Sequence, residues 1–423
     1  MNILKTSLLV TILFLSSCTA SEEQRKSDSD IYMQIANEYL TAGSYDKAVN
    51  EADNAIKSYP KNWGAYFLKA EILGTAGRYD EAFAAIEATG SDYPKDLEFV
   101  REHWRGVVSY HQGNLPDSVS HFEKSLILKP DYVDSLIVLI QVYVDMNRLD
   151  DAIRLCERWV ELVPDSGTAW ESLGIHSVNN RQYAKAKEAL DKALAINPKS
   201  PFAYNYLGRW ADEQNRWEEA EKYYLKALEL DDRYAFVNLS LGQLYMLTGR
   251  LDEAQKYLEK SLVLDPGIPF THYWIGKYYQ KKKDFPKSIH SYRRAIELNP
   301  EFSIARADIA ELCLENRKDL DYAISLLLDG LIISPKEQKG FYYYLAKLSL
   351  AKKDFEGALG YLDKAFALIK ESEKEGLADL HLLKGKVLLG KGDKTGAGEE
   401  FKIVLSLAPK SASANEARKL IKN

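Results

Sequence analysis

The side chains that could carry chemistry in this chain are few and poorly spaced for it. The thiols are Cys18, Cys156 and Cys313. Three cysteines in distant parts of a chain do not make a disulfide framework, and no CxxC pair suggests zinc. Of the seven histidines, His103, His111 and His121 fall nearest one another. They are not at i, i+4 spacing, and no acidic or thiol partner completes a ligand set. They read as ordinary helix-surface residues. No phosphate-binding loop, metal motif or activated nucleophile is visible. The expectation is therefore no catalytic residue, no metal and no cofactor.

Cys18 stands apart because of what precedes it. Lys5 supplies a positive start, Ser7 to Leu15 is a short apolar stretch, and Ser16 and Ser17 are small. This is the pattern of a secretory signal, and it is too short to span a bilayer as a mature helix. Leu15-Ser16-Ser17-Cys18 also resembles the lipobox of bacterial lipoproteins, with all four positions matching. That resemblance implies cleavage before Cys18 and lipidation of its thiol and new amino group. Several acyl chains on one residue make a firm anchor, where a single chain holds only marginally. Residue 19 is Thr rather than Asp, which under the family's sorting rule favours the outer membrane, facing the periplasm. The alternative is a plain secretory signal with an incidental cysteine. Residues 1–17 are thus expected to be a signal peptide, and residues 18–28 a lipidated cysteine and flexible polar tether.

The elements that follow are set by a period. Pro60, Pro94, Pro130, Pro164, Pro198, Pro266, Pro300, Pro335 and Pro409 recur mostly in steps of 34 or a double step. A fixed period of this size marks a stacked helical array rather than one globular core. Each unit reads as two amphipathic stretches of about 14 residues joined by a polar turn. Position 8 of the unit is small, as at Ala36, Gly106, Gly174, Gly208, Gly242, Gly276 and Gly385. So is position 20, as at Ala48, Ala152, Ala220 and Ser288. Glycine inside a helix costs roughly 1 kcal/mol against alanine, so its recurrence requires a close crossing. All thirteen prolines fall at helix boundaries or in first turns, where a missing N–H costs nothing.

These features resemble the tetratricopeptide repeat, whose unit has 34 residues with Pro at position 32. In the unit from Pro201, the marked positions are filled by Tyr204, Leu207, Gly208, Trp217, Ala220, Tyr224 and Ala227. The resemblance implies an all-α, right-handed superhelical solenoid. About eleven repeats span residues 29–409, opening near 29, 63, 99, 133, 167, 201, 235, 269, 303, 339 and 378. A capping helix is expected over residues 410–423. Departures are Ile140 at a small position, a late third opening after Glu98, an extra residue between Asn316 and Asp321, and a longer junction at Glu373–Leu377. Cys156 and Cys313 sit at apolar positions and should be buried.

Net charge is −6, with 56 basic and 62 acidic residues interspersed, so nucleic acid is not an expected partner. In the family the first helices line a concave face through positions 2, 5, 9, 12 and 13. Carried over, this gives Phe202, Phe236 and Phe270, then Asn205, Leu239 and Tyr273, then Arg209, Gln243 and Lys277, with Lys281 beyond. Aromatics and Arg are the types that anchor interfaces. Packing between repeats calls for the same periodic aromatics, so both readings stand at this point. A second candidate is the basic cluster of Lys281, Lys282, Lys283, Lys287, Arg293 and Arg294. The expected function is a non-enzymatic, membrane-tethered scaffold. It binds a protein or peptide partner and holds a cell-envelope complex of the pilus, secretion or polysaccharide-export type. The alternatives are a chaperone-like binder of exported chains and an accessory subunit of an envelope enzyme.

Overall fold

A computed structural model describes residues 21–370 and 372–422. Among these there are 23 α-helices, two short 3-10 turns and no strand. The signal segment and Cys18 lie outside the described residues. The described residues divide into two compact units, one up to Trp210 and one from Ala211.

The first unit holds α1 (Glu22–Thr41), α2 (Tyr45–Ser58), α3 (Trp63–Thr75), α4 (Tyr79–Glu87), α5 (Glu98–His111) and α6 (Leu115–Leu128). It continues with α7 (Val133–Asp145), α8 (Leu149–Leu162), α9 (Gly167–Asn179), α10 (Tyr183–Ile196) and most of α11 (Pro201–Asp212). The second unit holds α12 (Trp217–Leu230), α13 (Ala235–Thr248), α14 (Leu251–Leu264), α15 (Pro269–Lys281), α16 (Phe285–Leu298) and α17 (Ser303–Asn316). It ends with α18 (Leu320–Ile333), α19 (Gln338–Ala351), α20 (Phe355–Leu368), α21 (Lys374–Lys391), α22 (Lys394–Leu407) and α23 (Ala412–Lys422). Within each unit, successive helices pair as hairpins and each hairpin packs on the next.

Local chemistry explains the boundaries. Asn114, Ser166, Asp284, Asp354 and Asp393 cap helices by accepting a backbone N–H from the first turn. Pro116 and Pro286 stand in first turns, where no intrahelical N–H bond is lost. The turn inside each hairpin needs a left-handed residue, supplied by glycine at Gly249 and Gly392 and by side-chain-bearing residues at Asn147, Lys283 and Lys353.

Two expectations need correction. The stretch expected to be a flexible tether is helical from Glu22, because Ser21 caps α1 through the Gln24 N–H and Glu22 and Glu23 complement the helix start. Ser29, buried in that helix, donates to the Ala55 carbonyl at 2.8 Å, which ties α1 to α2. His103 is not a surface histidine. It is buried, with its ring against Trp104, Phe122 and Tyr132.

The small residues do what the period requires. A Cβ at Gly174 would lie 2.5 Å from Leu190, at Gly242 2.6 Å from Leu258, and at Gly276 2.5 Å from Tyr292. In each case a large side chain sixteen residues later fills the space that the glycine leaves. The fourth repeat inverts the arrangement. Ile140 and Cys156 occupy the same two places, both buried in one cluster with Leu139, Ile153 and Trp159. The bulk sits on the first helix and the small side chain on the second. Cys156 is fully buried and its thiol contacts Ser172 Oγ at 3.3 Å. Burial pushes this thiol and that of Cys313 up to about 11, so both are apolar wall rather than nucleophile.

Buried His103 makes the first unit acid-sensitive. Its Nδ1 lies 2.9 Å from Ser135 Oγ, which is 2.9 Å from Ser125 Oγ. Burial pushes the imidazole down to about 4, against an opposing pull from Asp134. The unfolded imidazole takes its proton near its ordinary value of 6.5, so between 6.5 and 4 the unfolded state binds more protons. Stability from this residue is complete above that window and falls as pH drops through it, by about 3 kcal/mol at the lower end. The expected result is that His103→Asn, though weaker at neutral pH, loses less melting temperature than the parent between pH 7 and about pH 5. Equal losses would remove His103 as the acid-sensitive group.

Candidate functional site

The first helices of the second unit leave one face uncovered by their hairpin partners. On α13 it runs through Phe236, Ser240, Gln243 and Leu247, and on α15 through Phe270, Trp274, Lys277 and Lys281. These are i, i+4, i+7 and i+11 positions, which share one side of a helix. Phe236 keeps 54% and Phe270 53% of its surface exposed, and Ile304 of α17 continues the row at 52%. The near-identical exposure at three successive repeats shows that packing between repeats does not consume this position. Phe270 is braced from below, its ring edge-on to Phe302 at 4.8 Å.

The face is narrower than the sequence reading. Asn205, Leu239 and Tyr273, expected to line it, are buried. Tyr273 turns inward instead, onto the second helix of its own repeat and the residue that opens the next. Tyr273 packs its ring on Tyr292 and on Phe302, with centroids 5.6 and 5.4 Å away. Its burial, beside Asp308, holds the phenol well above its ordinary range. Met246 is also buried, whereas Leu247 is 52% exposed. Trp274 and Ile304 were missed; the i, i+4, i+7 spacing from Phe270 and the 34-residue step from Phe270 would have found them.

The charges are also largely committed. Lys277 pairs with Asp308 of the next repeat at 2.9 Å, and Lys347 pairs with Glu311 at 2.8 Å. These pairs stitch neighbouring first helices, and the first neutralises Lys277 of the expected basic flank. Lys281, at the end of α15, is exposed, and Gln243 is half-buried. In the first unit, Phe202 is 53% exposed, and the Arg209 guanidinium lies over the Tyr206 ring at 5.2 Å. Phe236, Gln243, Phe270, Lys277 and Lys281 thus come together on one face of the second unit, while Leu239 and Tyr273 belong to its interior.

No group of His, Cys, Asp and Glu among the described residues is placed to hold a metal ion. No described helix is long and apolar enough to cross a membrane.

Stacked helical hairpins with small residues at each crossing and an open first-helix face define a repeat scaffold. Family models described as tetratricopeptide repeat match residues 33–95, 109–173, 172–235, 235–268 and 269–302. Together they span more than half of the chain, which belongs to the tetratricopeptide repeat family. Curated relatives match only locally. The DnaJ homolog subfamily C member 7 homolog of Dictyostelium discoideum is 27% identical over 92 residues, 22% of this chain and 17% of the relative. The probable biofilm formation methyltransferase WspC of Pseudomonas putida is 31% identical over 97 residues, 22% of each chain. The chain therefore spans about a fifth of the length of these relatives. A crystal structure of the APC/C hetero-tetramer Cut9-Hcn1 is similar with a TM-score of 0.50 and 13% identity, over 93% of this chain and 96% of that one. This likeness shows the fold alone. Proteins of this family act as scaffolds in protein–protein interaction.

Proposed function

We infer that this chain is a lipid-anchored scaffold of the bacterial envelope that grips a protein or peptide partner on the first-helix face of its second unit. Its role is to assemble or hold an envelope complex, of the pilus, secretion or polysaccharide-export type, without chemistry of its own. The observation that carries the binding site is the row of Phe236 and Phe270, left half-exposed at the same helical position in successive repeats. Soluble proteins rarely leave large rings aligned in the open unless something covers them. The lipobox at Cys18 supports the anchor, and Thr19 supports the outer membrane facing the periplasm. An intermixed surface charge gives nucleic acid no basic stripe to follow.

Two experiments test this reading. Cys18→Ser should move the protein from the membrane to the soluble fraction on cell fractionation; retention on the membrane would sink the anchor. A photo-reactive residue at 236 or 270 should capture one discrete envelope protein in cells. Phe236→Ala with Phe270→Ala should cut recovery of that partner by about tenfold or more, as loss of interface anchors does. Capture of many unrelated exported chains would favour a chaperone, and capture of nothing would leave the row without a role.

A further inference from the structure

The first hairpin is tied together down to its end. Ser21 caps α1 by accepting the Gln24 N–H at 3.1 Å, and the Gln24 amide donates to Asp28 Oδ1 at 2.8 Å. The opening turns of α1 are bonded to the last turn of α2. Ser58 Oγ donates to the Arg25 carbonyl at 3.0 Å, and the hydroxyl of Tyr59, just past α2, donates to Glu22 Oε1 at 3.2 Å. One turn further on, buried Ser29 donates to the Ala55 carbonyl and accepts from the Asn62 amide at 3.0 Å. From Glu22 onward, then, α1 is no free arm; a force on its start acts on the whole hairpin.

Only Thr19 and Ala20 stand between this end and Cys18. An extended chain covers at most about 3.6 Å per residue, so the Cys18 and Ser21 Cα atoms lie within about 11 Å of each other by any path. The polar headgroup layer of one leaflet is about 5–8 Å thick. A Cys18 whose acyl chains are in the hydrocarbon therefore cannot let the hairpin end rise more than a few ångströms clear of the headgroups. The side chains at this end suit that neighbour. Glu22, Glu23, Gln24, Arg25, Lys26 and Lys57 are exposed, with charges of both signs. No large apolar side chain is exposed among residues 21–63, so the end has nothing to bury in hydrocarbon and lies on the polar layer.

We propose that the end of the first hairpin, the opening turns of α1 with the last turn of α2, is a membrane-contact surface that rests on lipid headgroups. This contact requires the acylation of Cys18 inferred above, and it adds what acylation alone does not give. A lipid on a long leash leaves a scaffold free to drift away from the bilayer. Here the short connection seats the first repeat on the surface and fixes the height at which the array begins.

The test uses the full acylated chain in vesicles of phosphatidylethanolamine and phosphatidylglycerol, doped with a phosphatidylcholine that carries a nitroxide on its headgroup. A bimane label is attached to Lys26→Cys or to Lys57→Cys. Both side chains are exposed, and the native thiols Cys156 and Cys313 are buried. The label at 57 is the decisive one, because α2 comes to the bilayer only through its packing on α1. Each label should lose about half of its fluorescence or more to the nitroxide, since the connection holds the two so close. A Gly-Ser linker of about ten residues between Ala20 and Ser21 adds about 15–20 Å of reach and should cut the quenching at both sites about twofold or more. Mass spectrometry of the purified chain reads the anchor separately. Absence of acyl groups on Cys18 removes the anchor and the contact with it. With Cys18 acylated, an unquenched label at 57, or quenching that the linker leaves unchanged, overturns the contact while the anchor stands.

Discussion

Gly276→Leu is expected to destabilise the second unit by about 3 kcal/mol or more, at the upper end for overpacking a full core. The backbone of α15 meets Tyr292 here with no space for a side chain: even a Cβ would lie 2.5 Å from the ring. The ring cannot easily retreat. Tyr292 is fully buried, and its hydroxyl donates to Gln280 Oε1 at 2.8 Å. The helices are also tied at this crossing, because Ser288 Oγ donates to the Gly276 carbonyl at 2.9 Å. Relief would require α15 and α16 to part, which breaks that bond. It would also displace Tyr273 and Phe302, the rings that support Phe270. The same variant should therefore reduce partner capture from position 270 as well as the urea midpoint. Gly360→Ala is the matched control. Gly360 is an exposed helical glycine with open space around its Cα, and alanine there should stabilise by about 0.5–1 kcal/mol. Equal midpoints for the two variants would contradict the close crossing.

The second large effect is in the fourth repeat. Cys156→Leu should cost about 1–3 kcal/mol, because Ile140 already fills the crossing that a glycine leaves open elsewhere. Ile140→Ala alone should cost about 2–5 kcal/mol through the cavity it leaves. Together the two changes restore the usual small-then-large order with nearly the original volume. The double variant should lie within about 1.5 kcal/mol of the parent, milder than the sum of its parts. Additive losses in a double-mutant cycle by urea denaturation would show that the two side chains do not share one space.

Both effects begin as features of the sequence, yet only one was readable there. The recurrent glycine at position 8 implied a close crossing, because nothing else justifies its helix penalty. Ile140 looked like an isolated exception. Its reason lies sixteen residues away in Cys156, and a volume exchange is visible only when the two helices are placed against each other. The candidate site divides the same way. Phe236 and Phe270 were found from a 34-residue step, and both are exposed. Leu239 and Tyr273 came from the same register and are buried. Two residues on one helix share a periodicity but not a neighbour.

The sequence by itself determined the helical array, its turns and the glycine crossings. These follow from period, proline chemistry and backbone sterics, which act over a few residues. It also carries the lipobox-like pattern at Cys18. Tertiary structure alone decided which periodic positions remain open and that Lys277 is neutralised by Asp308. It also buried His103 and opened a hollow beside the inserted turn of the ninth repeat. The physical reason is common to all of these. Exposure and charge at a helix position are set by what the next repeat brings against it, and a period cannot express the identity of that neighbour.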